Sequence, residues 1–255
     1  MPPASIIVNS IPKSGTYLLA QLVNMLGAYP QAGHLHFNDQ HYTTGTDENG
    51  ALQIIKMPAP GHLSALPPHH SAAAHLTWSQ ALDDALLEQN IGMFFMYRDP
   101  RDLVISYVKF AMYSEVYRYE TEGHKQYYEF LCTLENDQRR AEHLLRHRLF
   151  LFQFYENAPW LFSDACLPVS FEALYKDTMM LREGTVGKTI EKIMRRMGID
   201  SLSCSPQMLF EQVFAKSKTA MGKQPNNHQG FFDDGLWQAT DNPFFRSVMH
   251  MYGYA

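Results

Sequence analysis

The chain is short of the residues that cross-linked, membrane-spanning or polyanion-binding proteins need. Only three of its 255 residues are cysteines, Cys132, Cys166 and Cys204, widely spaced and without a CxxC pair. That argues against a disulfide framework or a zinc ribbon and for a reducing compartment. No run approaches the ~18 apolar residues of a spanning helix. The opening MPPASIIVNS has neither the basic stretch nor the long apolar segment of a secretory leader, so a cytoplasmic protein without membrane association is expected. Positive charge is also scarce: 21 Lys and Arg against 26 Asp and Glu leave a net −5, which disfavours a general nucleic-acid binder. An anionic ligand must therefore be met by a few placed cations and backbone N–H groups. What the chain does have is 45% hydrophobic residues with only 18% charged, enough to bury a core and to exclude disorder.

Hydrophobic periodicity orders the elements. Ser5 to Asn9 is a short β-branched run that reads as a buried parallel strand. From Tyr17 to Leu26 the apolar residues recur at helical spacing, ending near Gly27. The stretch from Ala28 to Gly50 reads as loop-rich, Leu52 to Met57 as a strand, and the prolines from Pro58 to Pro68 as an irregular connection. Thr77 to Gln89 reads as a helix capped by Thr77 or Ser79, Gly92 to Tyr97 as a central strand, and Asp99 to Tyr113 as a helix. A long helical region from Lys125 to Tyr155, a strand from Pro168 to Phe171 and a helix from Val186 to Met197 follow, and the tail from Lys216 to Asp241 loses periodicity. The pattern predicts an α/β fold: a single P-loop-like domain over 1–255 with a central, mainly parallel sheet flanked by helices.

Two segments carry chemistry. NSIPKSGTY, Asn9 to Tyr17, lies between a strand and a helix, where unpaired N–H groups and the positive end of the helix dipole favour phosphate. Gly15 permits close approach, Ser14 and Thr16 add hydroxyls, and Lys13 adds charge. Because Lys13 precedes Gly15, this is not the Walker order GxxxxGK[ST]. The second segment, MFFMYRDPRDLVISYVKF, sets Arg98 and Arg101 at the carboxyl edge of a strand, where open α/β sheets bind ligands. Their forked donors suit a dianionic phosphate, and Ser106 lies two turns into the next helix. The same spacing also allows Arg98 and Asp102 a purely structural ion pair.

Together the two segments resemble the family of sulfotransferases that use 3′-phosphoadenosine 5′-phosphosulfate (PAPS). PKSGT is similar to that family's 5′-phosphosulfate loop, and RDPRDLVISYVKF to its 3′-phosphate motif. LPVSFEALYKD resembles a further strand and the stretch that follows it, with Phe171 in a tyrosine position. The resemblance implies that Pro12, Lys13, Ser14, Gly15 and Thr16 hold the 5′ end of the donor and that Arg98 and Ser106 hold its 3′-phosphate. Tyr17 and Leu18 stand where the family's PKSGTTW carries the residues leading to its adenine-contacting aromatic, so Tyr17 is a cofactor-binding candidate. It implies roles for Phe171, Lys223 and Gly230, the last two in a faint echo of the family's closing RKGxxGxW loop. It also implies that Lys13 assists the leaving phosphate, with Ser106 restraining it.

For the base, the resemblance points to a histidine after the second strand, and His62 in LQIIKMPAPGHLSALP is the nearest match. A histidine suits the task because its unperturbed pKa lies near neutrality. His34, His36, Asp39 and Glu115 remain open. The crowd of His62, His69, His70 and His75 lacks the helical register and the carboxylate or thiol partners of a metal site. Tyr107, Phe110, Tyr113, Tyr117 and Tyr119 are candidates to pack the core or wall an acceptor pocket. The acceptor implied is a small molecule, with no nucleic acid or membrane involved and a homodimer left open. The alternatives are a P-loop kinase or NTPase and a non-catalytic nucleotide-binding protein of the same fold.

Overall fold

The computed structural model describes residues 2–26, 31–34, 42–46, 52–56, 63, 66–115, 118, 121–215 and 225–255. Its centre is a five-stranded parallel sheet in the order β2-β5-β1-β6-β7, formed by β1 (Ser5–Ser10), β2 (Gln31–His34), β5 (Ser71–Ala74), β6 (Ile91–Tyr97) and β7 (Cys166–Ser170). In register, Ile6 lies between Ser71 and Gly92, and Met96 pairs with Val169. Strand β1 is buried at every position, as a strand with neighbours on both edges and helices on its faces requires. The predicted α/β class and parallel sheet are observed.

The chain divides into two compact units. The first comprises Met1–His36, Pro58–Arg98 and Pro159–Pro225 and holds the sheet; the second comprises Phe37–Met57, Asp99–Ala158 and Asn226–Ala255. In the first unit, α1 (Thr16–Met25) buries Leu18, Leu19, Leu22 and Val23, and α2 (Gln80–Glu88) starts at Ser79, whose Oγ accepts from the Leu82 N–H at 3.2 Å. The helix Phe171–Arg182 is capped by Ser170, and Lys188–Met197 ends at Gly198 with φ 71°. In the second unit, β3 (Tyr42–Thr46) and β4 (Leu52–Lys56) form an antiparallel hairpin.

Several boundaries differ from the sequence reading, each for a local reason. The strand at Leu52 belongs to this hairpin rather than to the sheet, and β2 and β3 lie in the stretch read as loop. The region from Lys125 to Tyr155 is three helices, Glu122–Cys132, Asp137–Arg146 and Arg148–Asn157, because Asn136 caps a new start with Oδ1 accepting from Arg139 N–H and His147 breaks the second. The tail from Lys216 to Asp241 contains the helices His228–Phe231 and Asp234–Thr240, the second started by the side chain of Asp233, and a further helix, Pro243–Met251, follows it from the cap Asn242. Strand β5 was hidden because Ser-Ala-Ala-Ala has none of the β-branched or aromatic residues that mark strands. Among the described residues no helix is long and apolar enough to cross a membrane.

Candidate active site

Strand β1 delivers the chain into Ile11-Pro12-Lys13-Ser14-Gly15, a tight loop closed by the Ser14 N–H on the Ile11 carbonyl at 3.1 Å. Two residues take left-handed backbone, Lys13 at φ 74° and Gly15 at φ 107°. Glycine is required at the second: a Cβ there would stand 2.9 Å from Phe171 Cδ2 and 3.0 Å from Met96 Cε. No side chain caps α1 at Gly15, as suits a helix start that faces an anion. Ser14 points the same way. Its side chain is fully buried and its Oγ has no hydrogen-bond partner, which in a folded protein calls for one. An uncapped helix start, a close-approach glycine and an orphaned hydroxyl together fit a phosphate-sized anion.

Beside this loop stands a histidine that in the sequence is only one of the crowd His62, His69, His70 and His75. His75 directly follows β5, whose parallel pairing with β1 brings it to Ser10. Its Nδ1 is 2.9 Å from the Ser10 carbonyl and 3.2 Å from Ser10 Oγ. A carbonyl only accepts, so Nδ1 carries the hydrogen and, in the neutral ring, Nε2 carries the lone pair. Ser10 Oγ is in turn hydrogen-bonded to Thr16 Oγ1, the first residue of α1. The next residue, Leu76, is clamped to β1 by Asn9 and accepts from Trp160 Nε1 at 3.1 Å. The position of the imidazole is therefore built in.

Arg98 leaves the carboxyl end of β6 almost wholly buried, at 1% exposure, with its guanidinium carbon 4.4 Å from the centre of the Phe171 ring. That ring also packs on Gly15, so one aromatic face orients the arginine while its edge shapes the loop. Phe171 thus serves as a buried wall, at 3% exposure. Nearby, burial and the Glu172 carboxylate raise the Tyr97 phenol above its ordinary pKa.

The second unit resumes at Asp99. Its carboxylate caps α3 (Pro100–Tyr113) by accepting from Arg101 N–H and grips the Arg101 guanidinium, Nη2 to Oδ2 at 2.6 Å. That bond raises the guanidinium pKa further, so Arg101 stays charged. One turn along α3, the buried Asp102 accepts from both the backbone N–H of His228 at 2.9 Å and its Nδ1 at 2.8 Å. Ser106, another turn on, is buried with Oγ unpartnered. Tyr107 packs edge-on to Phe150 at 5.4 Å. Tyr113 is exposed and donates to Asp137 at 3.2 Å.

Residues 3–162 match the sulfotransferase domain family. The chain belongs to the sulfotransferase family. No protein of curated function matches the sulfotransferase chain by sequence, but its fold has solved counterparts. A mouse sulfotransferase complexed with PAP aligns over 98% of this chain and 89% of its own, with TM-score 0.55 and 15% identity. A retinol dehydratase in complex with retinol and PAP aligns over 98% and 82%, also with TM-score 0.55 and 15% identity.

In this sulfotransferase Pro12, Lys13, Ser14, Gly15, Thr16, Arg98 and Phe171 all belong to the first unit, around the carboxyl ends of β1 and β6. Tyr17 is on the first turn of α1 with its ring 59% exposed. Gly230 sits on the short helix His228–Phe231 with open space where a side chain would be. His62, Lys223, His36, Asp39, Tyr117 and Tyr119 lie outside the described residues. His34 ends β2 opposite Ala73, while Glu115 and His69 are exposed. Among the described residues no three metal-ligating groups converge. The residue that sequence reasoning missed is His75. The sequence carries little signal for it, because Ser-Ala-Ala-Ala ahead of His75 has no β-branched or aromatic residue to mark a strand.

Proposed function

We propose that this sulfotransferase moves the sulfuryl group of PAPS to a hydroxyl or amine of a small-molecule acceptor by in-line displacement. The observation that carries the reading is the β1–α1 corner itself, with its uncapped helix start, the buried unpartnered hydroxyl of Ser14, and His75 held alongside. The α1 N–H groups, Ser14, Gly15 and Thr16, with Pro12 shaping the turn, hold the 5′-phosphosulfate. Lys13 neutralises the charge that builds on the oxygen bridging sulfur and phosphate as the S–O bond breaks. Arg98 and Ser106 are assigned to the 3′-phosphate on the spacing of the RDPRDLVIS motif. Tyr17 is offered to the adenine as an exposed ring, and Lys223 and Gly230 to closure over the nucleotide.

The base in this reading is His75 rather than His62. With Nδ1–H directed at Ser10, the Nε2 lone pair takes the acceptor proton as the acceptor oxygen bonds to sulfur, and the imidazolium charge is relieved by the Ser10 oxygens. Substituting His75→Gln is expected to lower turnover at least ~100-fold with adenosine 3′,5′-bisphosphate affinity retained. The domain is proposed to run over 1–255, in keeping with a fold likeness that covers 98% of the chain. A cytoplasmic setting accords with three free thiols.

The test is an acceptor screen with PAPS, read by mass spectrometry for an added sulfuryl group, together with titration by adenosine 3′,5′-bisphosphate and by ATP with Mg²⁺. Binding of the bisphosphate supports the reading; binding of ATP alone refutes it.

A further inference from the structure

The hydrogen bonds around Ser10 do more than hold a ring in place. Nδ1 of His75 must donate, because one of its two acceptors is a backbone carbonyl. Its second acceptor, Ser10 Oγ, uses a lone pair on that N–H and has its own hydrogen left to give to Thr16 Oγ1. Thr16 is the first residue of α1 and its hydroxyl hydrogen is then left for whatever anion the loop binds. The Ser10–Thr16 bond can run either way, and in the arrangement where Ser10 donates, every donor in the row His75, Ser10, Thr16 points from imidazole to loop; an anion that accepts from Thr16 selects that arrangement. Ser10 is 1% and Thr16 4% exposed, so water does not compete for the middle of the row. In such a setting each hydrogen bond polarises the next. The charged residue on the same loop is Lys13, three positions after Ser10.

We propose that Ser10 is a positioning residue whose hydroxyl couples the base to the donor site, so that an anion accepting from Thr16 strengthens the hold on Nδ1–H and readies His75 for protonation at Nε2. The inference rests on the assignment of the loop to the 5′-phosphate and of His75 to the base, and it adds to them a residue that touches neither substrate. It implies that the histidine senses donor occupancy through bonds as well as through space.

The experiment is an NMR titration of the His75 imidazole nitrogens, assigned by their loss in His75→Gln, with and without saturating adenosine 3′,5′-bisphosphate. In the wild type the bisphosphate is expected to raise the His75 pKa by roughly one unit. In Ser10→Ala only the through-space part survives, and the response falls to less than half. Ser10→Thr keeps a hydroxyl and restores it. Thr16→Val cuts the same row from the other end and reproduces the alanine result, which keeps the test available if Ser10→Ala does not fold. An equal response in wild type and Ser10→Ala, or a Thr variant that behaves like Ala, overturns the coupling while leaving the proposed function standing. A wild type that binds no bisphosphate overturns the proposed function itself.

Discussion

The side chain of Asn9 makes both of its described hydrogen bonds to one residue, Leu76: Nδ2 donates to the carbonyl at 2.9 Å and Oδ1 accepts from the N–H at 2.6 Å. The β1–β5 ladder ends with Asn9 opposite Ala74, and the carboxamide adds a rung of its own beyond it. That rung is what keeps the chain after β5 alongside β1, and His75 lies within it.

Removing the rung should be costly. Asn9→Ala leaves the Leu76 N–H buried without its acceptor and is expected to destabilise the protein by about 2–4 kcal/mol. Urea unfolding checks this. Asn9→Asp, which sets a buried carboxylate oxygen against the Leu76 carbonyl, should be at least as destabilising as alanine.

Gly15→Ala places a methyl in left-handed backbone against Phe171 and Met96. The loop must shift, and bisphosphate affinity measured by calorimetry is expected to drop more than ~10-fold, with stability lowered by about 1–3 kcal/mol. Unchanged affinity would remove the loop from the donor site.

Lys13 and Arg98 should separate chemistry from binding. Lys13→Ala is expected to reduce turnover by roughly 100-fold or more while bisphosphate binding stays within a few-fold. Arg98→Ala is expected to weaken bisphosphate binding by at least ~10-fold, and to weaken adenosine 5′-phosphosulfate, which lacks the 3′-phosphate, far less. Equal losses with both nucleotides would contradict the 3′ assignment of Arg98.

His143, on Asp137–Arg146, packs at 4.8 Å from the Phe130 ring; burial first and the neighbouring His147 second lower its pKa below the ordinary 6.5. The unfolded chain therefore binds more protons there than the folded one. Its contribution is present above the ordinary histidine pKa and is lost as pH falls below it, so stability declines through that window. Melting temperatures of wild type and His143→Gln across pH 7.5 to 5.0 test this: the variant should show the shallower slope.

Local rules account for much of what could be read in advance. The change from β-branched Ile6, Ile7 and Val8 to helical spacing at Leu18, Leu19 and Leu22 marks a strand–loop–helix corner wherever it occurs. The order Pro-Lys-Ser-Gly-Thr places a cation, a flexible backbone and hydroxyls at that corner. Ser79, Asp99 and Gly198 stop or start helices within their own few residues, so those boundaries were near at hand, whereas the helix Phe171–Arg182 went unread although Ser170 caps it. Where local signals were weak the reading failed: the alanines of β5 pass for loop, and the caps within Lys125 to Tyr155 are easily run over by a continuing apolar stripe.

The sequence by itself determined the strand–loop–helix corner with its Pro-Lys-Ser-Gly-Thr loop, the arginine at the end of β6 and the α/β class, because each is signalled by local residue patterns. Only the tertiary structure decided which histidine stands at the corner. His75 meets Ser10 across 65 positions through parallel pairing, and His228 meets Asp102 across 126. Parallel strands are joined by crossovers whose length carries no register of its own. The register was set by what β1 and β5 bury together and by the Asn9 clamp, contacts that come into being only when the chain folds.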